Sequence, residues 1–427
     1  MAPELGRAIA VRRISRLAWA ALLAATHVAA ADLSLEARKA DFAQLWTTVD
    51  EQYVFLDGKR AWWASARERY AARIEQATTA DAWAQVVEDA LAELTDFHVG
   101  NNPGSAHTWL AVPTSADLWA VPDGDVARVV AVRAGGDAQR AGIAVGDRIQ
   151  RIDGEPLTAA IARRLPAPVD ATRPSAREWA VLSLVTGRRG NPRTFAVRGP
   201  DGAERTVVLP AERRYDRPRT PVSWSRLPDG VGVIRFNNSL GEQATVAAFD
   251  TALAELRDTR GLILDLRDTP SGGNSSVALG VLGRLVDVRR PYQRHRIPDY
   301  GQPDIERNWQ EEVAPRGPFT YRAPLVVLVD HWTGSMAEGM AIGLDGMRRG
   351  TVVGTTMGQL AGATEEFTLS RTGARIALPT EELFHVDGTP RHRWLPPVIV
   401  APGIGPDGAD SALARARTLL DDARPSR

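Results

Sequence analysis

The 427-residue sequence contains no cysteine and almost no lysine. The absence of cysteine excludes disulfides, thiolate nucleophiles, iron–sulfur clusters and cysteine zinc sites. Lys39 and Lys59 are the only lysines, so no lysine is available as a catalytic base after residue 59. The 52 basic and 52 acidic residues cancel, which removes the positive charge expected of a general nucleic-acid-binding protein.

Long apolar runs are also missing, and no segment after the N-terminal region is apolar enough to span a bilayer. Near the N-terminus, four arginines precede a short apolar run from Leu17 to Ala25, and small residues follow it. This pattern is typical of a cleavable secretory signal. We therefore predict a signal peptide over residues 1–31 and export, most simply to the periplasm. A retained membrane anchor is the alternative.

The rest of the sequence divides into three parts. Residues 32–111 are predicted to be helical, because apolar residues fall on single helical faces from Phe42 to Tyr53 and from Trp83 to Leu94. Residues 112–210 contain short β-type runs separated by turn signals, for example Val126 to Val132 and Arg148 to Ile152. A proline- and charge-rich stretch, residues 210–221, is predicted to be a linker or an exposed crossing.

Predicted strands and helices alternate over residues 222–425, which favours α/β layers. The predicted strands include Leu262 to Leu266 and Leu325 to Val329, and a helix is predicted from Ser335 to Met347. The alternation is interrupted by residues 289–323, a long segment with several aromatic residues. Long loops are usually functional or mobile, so we interpret this segment either as a lid over a cleft or as ordinary packing.

Two predicted strands end in residues that point to chemistry. Gly272 and Gly273 follow the first strand, where they would let backbone N–H groups face a site without obstruction. Ser335 follows the second strand at the start of a helix, where the dipole and free N–H groups stabilise developing negative charge. The N–H of Met336 would join that of Gly272 or Gly273 in an oxyanion hole. The alternative is that Ser335 is an N-cap completed by Glu338 in a capping box.

The histidines form no metal-ligand pattern, and the H-E-x-x-H motif is absent. We therefore expect no metal site and no cofactor. His331 lies four residues before Ser335 and could contact it, although a role in a surface turn is the favoured interpretation.

The middle part resembles a PDZ domain of bacterial proteases. The resemblance rests on residues 131–157, AVRAGGDAQRAGIAVGDRIQRIDGEPL, in which Gly146 and Asp147 lead into a strand and the Asp153-Gly154 turn. It implies docking of an extended peptide as an added strand. The strand implied to bind substrate comprises Ser115, Ala116, Asp117, Leu118 and Trp119.

The remainder resembles the carboxyl-terminal processing (tail-specific) serine peptidases, in the branch near the tricorn core and the interphotoreceptor retinoid-binding-protein modules. The stretch from Gly261 to Arg267, with the two glycines, matches the family's strand and oxyanion loop. Ser335-Met-Ala-Glu338 matches its nucleophile region. Leu94-Thr-Asp-Phe-His98 resembles the signature that closes its N-terminal helical part. The implied fold is a crotonase/ClpP-like α/β catalytic core with an N-terminal helical segment and an inserted β-rich PDZ domain.

The sequence departs from the family at the base. The tail-specific branch uses a lysine, and the matching residue is Leu360. The tricorn-like branch uses a histidine, matched here by His98, and a late glutamate. The region expected to hold that glutamate contains only Arg391, His392 and Arg393 between Thr389 and Trp394.

The resemblance implies a serine endopeptidase that cleaves exported proteins docked through the PDZ domain, with Ser335 as nucleophile and His98 as base. The alternative is a degenerate peptidase that binds peptides or apolar ligands, as the missing acid and lysine would allow. The oligomeric state is left open.

Overall fold

The computed structural model describes residues 33–215, 217–299, 302, 305–403 and 410–423. The predicted signal peptide lies outside the described residues. Within these ranges the chain is a mixed α/β protein with three sheets. No helix of the described part has both the length and the apolar character that crossing a membrane requires.

The described helices are α1 (Leu35–Gln52), α2 (Arg60–Trp63), α3 (Ala66–Gln76), α4 (Ala80–Ala92), α5 (Asp137–Arg140), α6 (Leu157–Arg164), α7 (Pro174–Thr186), α8 (Ala244–Glu255), α9 (Ser275–Leu282), α10 (Met336–Gly346) and α11 (Ser411–Asp422). The described strands are β1 (Gly100–Asn102), β2 (Leu118–Asp123), β3 (Val126–Val132), β4 (Arg148–Ile152), β5 (Glu155–Pro156), β6 (Arg193–Arg198), β7 (Glu204–Leu209), β8 (Val222–Arg226), β9 (Val231–Phe236), β10 (Gly261–Asp265), β11 (Arg290–Pro298), β12 (Glu306–Val313), β13 (Leu325–Val329), β14 (Thr351–Gly354), β15 (Ala363–Thr368), β16 (Arg375–Phe384) and β17 (Val398–Ile399).

The N-terminal helices form a core with a strand from the far end of the chain. The predicted apolar faces are confirmed, since Phe42, Leu45 and Trp83 are buried together with Ile376 and Leu378 of β16. Strand β1 pairs with the same strand β16 in an antiparallel register. The helical part is therefore built onto the C-terminal α/β part.

The middle of the chain forms an antiparallel sheet in the order β2-β3-β4-β6-β7. Strands β3 and β4 have the bounds that the sequence predicts. In β3 the buried and less buried side chains alternate, as they do in a strand with one face on a core. Helices α6 and α7, which the β-type texture did not predict, pack on this sheet through Ile161 and Trp179.

The central sheet has the order β17-β14-β13-β10-β9-β8, and its strands are parallel except for the β8–β9 hairpin. The two strands that carry the glycines and Ser335 at their ends, β10 and β13, are neighbours in register from Leu262 with Leu325 to Asp265 with Leu328. Both are buried along their whole length, as strands between two helical layers are. The predicted α/β alternation is confirmed.

The aromatic segment over residues 289–323 contains the antiparallel hairpin β11–β12. Strand β11 also pairs with β16, and Tyr292 is fully buried. The described residues of this segment therefore favour ordinary packing over a lid.

A buried ion pair fixes the start of the middle sheet. The Arg193 guanidinium donates to both carboxylate oxygens of Asp117, at 2.9 and 2.8 Å, and neither side chain is more than 2% exposed. Removing one partner of such a pair leaves the other charge buried without compensation.

We predict that Asp117→Asn lowers the free energy of unfolding by about 3 kcal/mol, measured by urea denaturation with tryptophan fluorescence. The matched control is Glu204→Gln, which breaks the exposed Arg198–Glu204 pair in the same sheet and should leave stability nearly unchanged. Equal effects of the two substitutions would contradict the prediction.

Candidate active site

The carboxyl ends of β10 and β13 converge, as parallel neighbours must. Beyond the strands, Thr269 and Thr333 form an isolated parallel bridge, and the Gly334 N–H donates to Thr269 O at 3.3 Å. The loop that carries the two glycines is thereby tied to the loop that carries Ser335. The predicted site residues from these two loops are thus neighbours in space.

Ser335 has a backbone conformation that helix caps do not normally use. Its φ is +51° and its ψ is −110°, whereas N-caps generally have an extended backbone with negative φ. A non-glycine residue at such angles is strained, and it persists where surrounding structure holds it. The capping box with Glu338 is nevertheless present, and the Ser335 N–H donates to Glu338 Oε2 at 2.7 Å.

Gly272 lies directly against Ser335. A methyl group at Gly272 would be 2.5 Å from Ser335 Cβ and 3.1 Å from Met336 N, so a side chain has no room there. A methyl group added at Gly273 would instead meet the backbone of Leu240, 2.2 Å from its carbonyl oxygen.

The backbone N–H groups expected to form the oxyanion hole differ in whether they already donate a hydrogen bond. The Gly272 N–H donates to Thr269 O at 3.3 Å. Within the described residues, the N–H groups of Gly273 and Met336 donate no hydrogen bond. Met336 is the first residue of α10, where an N–H has no carbonyl of its own helix to bond. These two N–H groups are free to bind an external acceptor.

His98 is held by a backbone carbonyl rather than by an acid. Its Nδ1 lies 2.8 Å from Ala361 O. A carbonyl can only accept, so Nδ1 carries the proton in the neutral ring. Burial lowers the pKa of His98, and the positive charge of Arg391 lowers it further. Both effects favour the neutral ring, with the proton on Nδ1.

One loop, residues 359–362, links His98 to Ser335. The Glu338 carboxylate, which bonds Ser335 N, also accepts the Leu360 N–H at 3.2 Å. Arg391 donates to the carbonyls of Leu360 and Gly362 at 2.9 and 2.7 Å. The next carbonyl along the loop, that of Ala361, orients His98.

Two buried ionisable side chains, those of Glu338 and Arg391, contact this loop. Burial raises the pKa of Glu338 to about 7, and Arg391 opposes that rise. Arg391 is 2% exposed, and burial lowers its pKa. Leu360, which stands where the tail-specific branch has a lysine, is a buried apolar side chain beside Gly334. The missing lysine is thus replaced by apolar packing.

Asp96 supports His98 from the preceding turn. It accepts the His98 backbone N–H at 2.8 Å and the Tyr53 hydroxyl at 2.9 Å. Lys59 donates to the same hydroxyl at 2.9 Å. Sequence reasoning named Asp96 only as part of a motif and did not find Tyr53 or Lys59. Their apolar surroundings in the helical core gave no signal of this chain of hydrogen bonds.

The other histidines have different partners. His331 stacks on Trp119, with ring centroids 4.8 Å apart, and its Nδ1 lies 3.1 Å from Thr356 Oγ1. Burial lowers the pKa of His331 to about 4. His392 packs edge-on against Phe55, and burial lowers its pKa to about 4. Among the described residues, no group of three or more histidines and carboxylates could hold a metal ion.

The strand expected to bind substrate, Ser115 to Trp119, is mostly inside the protein. Ala116, Asp117, Leu118 and Trp119 are buried. The Ala116 carbonyl accepts hydrogen bonds from the Trp332 indole at 2.6 Å and from Arg133 at 3.2 Å. The Ser115 carbonyl accepts the hydroxyl of Tyr215 at 2.7 Å. These contacts occupy carbonyls that an added peptide strand would need.

The comparisons with known proteins agree with this architecture. Residues 230–407 match the model of peptidase family S41, and residues 35–92 match the model of the tricorn protease C1 domain. A carboxyl-terminal-processing protease of Picosynechococcus sp. is 26% identical over 321 residues, which cover 73% of this chain and 70% of that relative.

Two solved structures share the fold. The photosystem II D1 C-terminal processing protease superposes with a TM-score of 0.56 at 21% identity, covering 91% of this chain and 98% of that one. Mature CPAF superposes with a TM-score of 0.59 at 15% identity, covering 91% of this chain and 96% of that one.

The fold and these matches define a serine peptidase, a hydrolase that acts on polypeptides. The peptidase family S41 match lies over residues 230–407, and the curated relative it accompanies is a carboxyl-terminal-processing protease.

We predict that Gly272→Ala abolishes peptide hydrolysis, because the new methyl group would displace Ser335. The matched control is Gly124→Ala, since Gly124 has a similar φ of +62° but nothing within 4 Å of the added methyl group. Gly124→Ala should cost about 1 kcal/mol of stability through the backbone, and Gly272→Ala should cost more because of the overlap with Ser335, as measured by thermal denaturation. Full activity of Gly272→Ala in a peptide-cleavage assay would contradict the prediction.

Proposed function

We propose that this protein is an exported serine endopeptidase in which Ser335 is the nucleophile and His98 the general base. The observation that carries the proposal is the strained backbone of Ser335 at the start of α10, beside Gly272. A simple helix cap needs no positive φ, whereas a nucleophile on a sharp strand-to-helix turn is exposed in this way.

The proposed reaction has two steps. Ser335 Oγ attacks the carbonyl carbon of the scissile peptide bond while its proton passes to His98 Nε2. The same proton then passes to the departing amine as the C–N bond breaks. Water repeats the sequence on the acyl-enzyme and releases Ser335. The N–H groups of Met336 and of Gly273 or Gly272 would stabilise the oxyanion.

The Ala361 carbonyl stands beside His98 where a catalytic triad has an acidic residue, and this affects the proposed base in two ways. It fixes the tautomer of His98 as an acid would. It does not supply the negative charge that stabilises the imidazolium formed during attack. The nearby Arg391 disfavours that imidazolium as well. We therefore expect a competent but slow enzyme. The degenerate-peptidase alternative predicts no turnover at all.

We further propose that the middle sheet is a PDZ domain that docks polypeptide substrates. Its support is the packing of α7 along β2, the edge strand of the sheet. Because the contacts of residues 115–119 are internal, docking would use the outer end of β2. A cavity of about 380 Å³ lies there, lined by Val121, Pro122 and Pro174 among others. Export to the periplasm rests on the N-terminal sequence pattern.

Ser335→Ala should abolish hydrolysis and labelling by a fluorophosphonate while changing stability by no more than about 1 kcal/mol, the usual cost of losing a cap. The control is Ser34→Ala, since Ser34 caps α1 by accepting the Ala37 N–H at 3.1 Å. This control should lose similar stability and keep its activity. Unchanged turnover of Ser335→Ala would end the assignment, and no turnover in the unmodified protein would favour the degenerate peptidase.

The pH dependence of kcat/KM should report His98. Activity rises with pH as the imidazole loses its proton, and burial lowers the pKa of His98 below 6.5, so the rise should be centred below pH 6.5. His98→Gln should remove this rise together with most of the rate. His331→Gln, at a second buried histidine, should keep the rise in place. A rise that survives in His98→Gln would show that another group is the base.

A further inference from the structure

A large cavity lies between the N-terminal helices and the middle sheet, away from Ser335. Its volume is about 810 Å³, which is within the range of ligand-binding pockets and far too large for a single ion. Helices α3 and α4 form one wall, and α6 with residues 165–168 and 187–193 forms the other. The wall carries six arginines: Arg69, Arg73, Arg163, Arg164, Arg188 and Arg193.

Four of these arginines are neutralised by carboxylates. Arg69 pairs with Glu93, Arg73 with Asp89, Arg163 with Glu155 and Arg193 with Asp117. Arg164 and Arg188 form no ion pair within the described residues. Arg188 donates to a carbonyl, His107 O, at 3.0 Å. Arg164 Nε is buried without a hydrogen-bond partner. Because a buried donor without a partner is costly, it points to a ligand that the protein binds there.

The two guanidiniums without an ion pair both lie against one indole. Arg164 lies 4.4 Å and Arg188 4.3 Å from the ring of Trp109. Arg164 also lies 3.8 Å from the ring of Trp179. Stacking on the rings holds the guanidiniums in place. The rings do not accept hydrogen bonds from the N–H groups that lie in the guanidinium planes. The fork of N–H groups on each guanidinium matches the geometry of a carboxylate.

A second cavity leads from this place toward His98. Its volume is about 330 Å³, and its wall shares Ala92, Trp109 and Arg164 with the first cavity. Asp96, Phe97 and Val99, which precede and follow His98, also line this cavity. An extended polypeptide anchored at Arg164 would therefore lie along a path to the segment that bears His98.

We propose that Arg164 and Arg188 form a binding site for a carboxylate of the polypeptide substrate, contributed by an acidic stretch of that chain. The inference rests on the proposed function for the choice of a polypeptide as ligand. The positive charge comes from the two guanidiniums, and the cavity has room for several residues. The site lies between α4 and α6 and does not use the β2 edge.

The test measures binding without turnover, in the full chain carrying Ser335→Ala. The probe is a rhodamine-labelled peptide ending in several glutamates with a free C-terminus, followed by fluorescence anisotropy. Adding Arg164→Gln should weaken binding by about tenfold, as expected for the loss of a charge-assisted hydrogen bond. Arg188→Gln, a second variant at a less buried position, should also weaken it. The matched control is Arg163→Gln, at an exposed neighbour already paired with Glu155, which should bind as before.

Two further peptides identify the source of the carboxylate. Weaker binding of a peptide with glutamines in place of the glutamates supports the proposed side-chain carboxylates, and weaker binding of the C-terminal amide alone would overturn the acidic stretch as their source. Equal binding of all peptides would overturn the proposal, as would equal loss in the Arg163 and Arg164 variants. Arg164→Lys keeps the charge and should recover part of the affinity that Arg164→Gln loses. Such recovery would show that the loss is due to the missing charge and not to misfolding. Since no peptide is cleaved, the result does not depend on the nucleophile assignment.

Discussion

The geometry of the site depends on the hydrogen bonds of the buried Glu338 carboxylate. One oxygen accepts the backbone N–H of Ser335 and that of Leu360. It thereby fixes the turn that carries the serine to the loop that carries the carbonyl of Ala361. Arg391 holds the same loop from the other side through the carbonyls of Leu360 and Gly362. Burying two ionisable groups is costly, and the cost is offset in part by the hydrogen bonds that Glu338 Oε2 and the Arg391 guanidinium make to this loop and to the Ser335 N–H.

This arrangement explains how the site can lack both the lysine and the late acid of its relatives. The capping glutamate does not act on His98 directly. It fixes the loop whose Ala361 carbonyl orients the imidazole, so positioning is achieved by backbone rather than by a third ionisable group. The cost is electrostatic, because Arg391 occupies the region where an acid was expected and lowers the pKa of His98. In the proposed mechanism, the orientation of His98 and the stabilisation of its charged form are therefore separated.

Much of the fold could be predicted because its signals are local. Strand β13 and the apolar face of α4 follow from periodicity over a few residues, and their bounds or burial match the structure. The convergence of the glycine loop with Ser335 also follows, since it requires only that two parallel strands be neighbours. Helix α7 was not predicted, because it is apolar on most sides and so shows little helical periodicity.

The contacts that decide the chemistry could not be predicted, because they join distant parts of the chain. His98 and Ala361 are separated by 263 positions, and the acceptor is a backbone carbonyl that any residue possesses. The burial of residues 115–119 likewise depends on Trp332 and on Tyr215, which local sequence does not connect with them.

The middle sheet is also part of the frame behind the serine. Trp332 precedes Ser335 by three residues, and its indole donates to Ala116 O at the entry to β2. Arg133, after β3, forms an ion pair with Asp268 in the loop that leads to Gly272, and its guanidinium lies 4.1 Å from the Tyr215 ring. Asp268 holds a positive φ of +61° there. Both loops of the candidate site are therefore braced by the same sheet. A substitution in that sheet can reach Ser335 and Gly272 through two separate contacts, without changing any residue that faces the substrate.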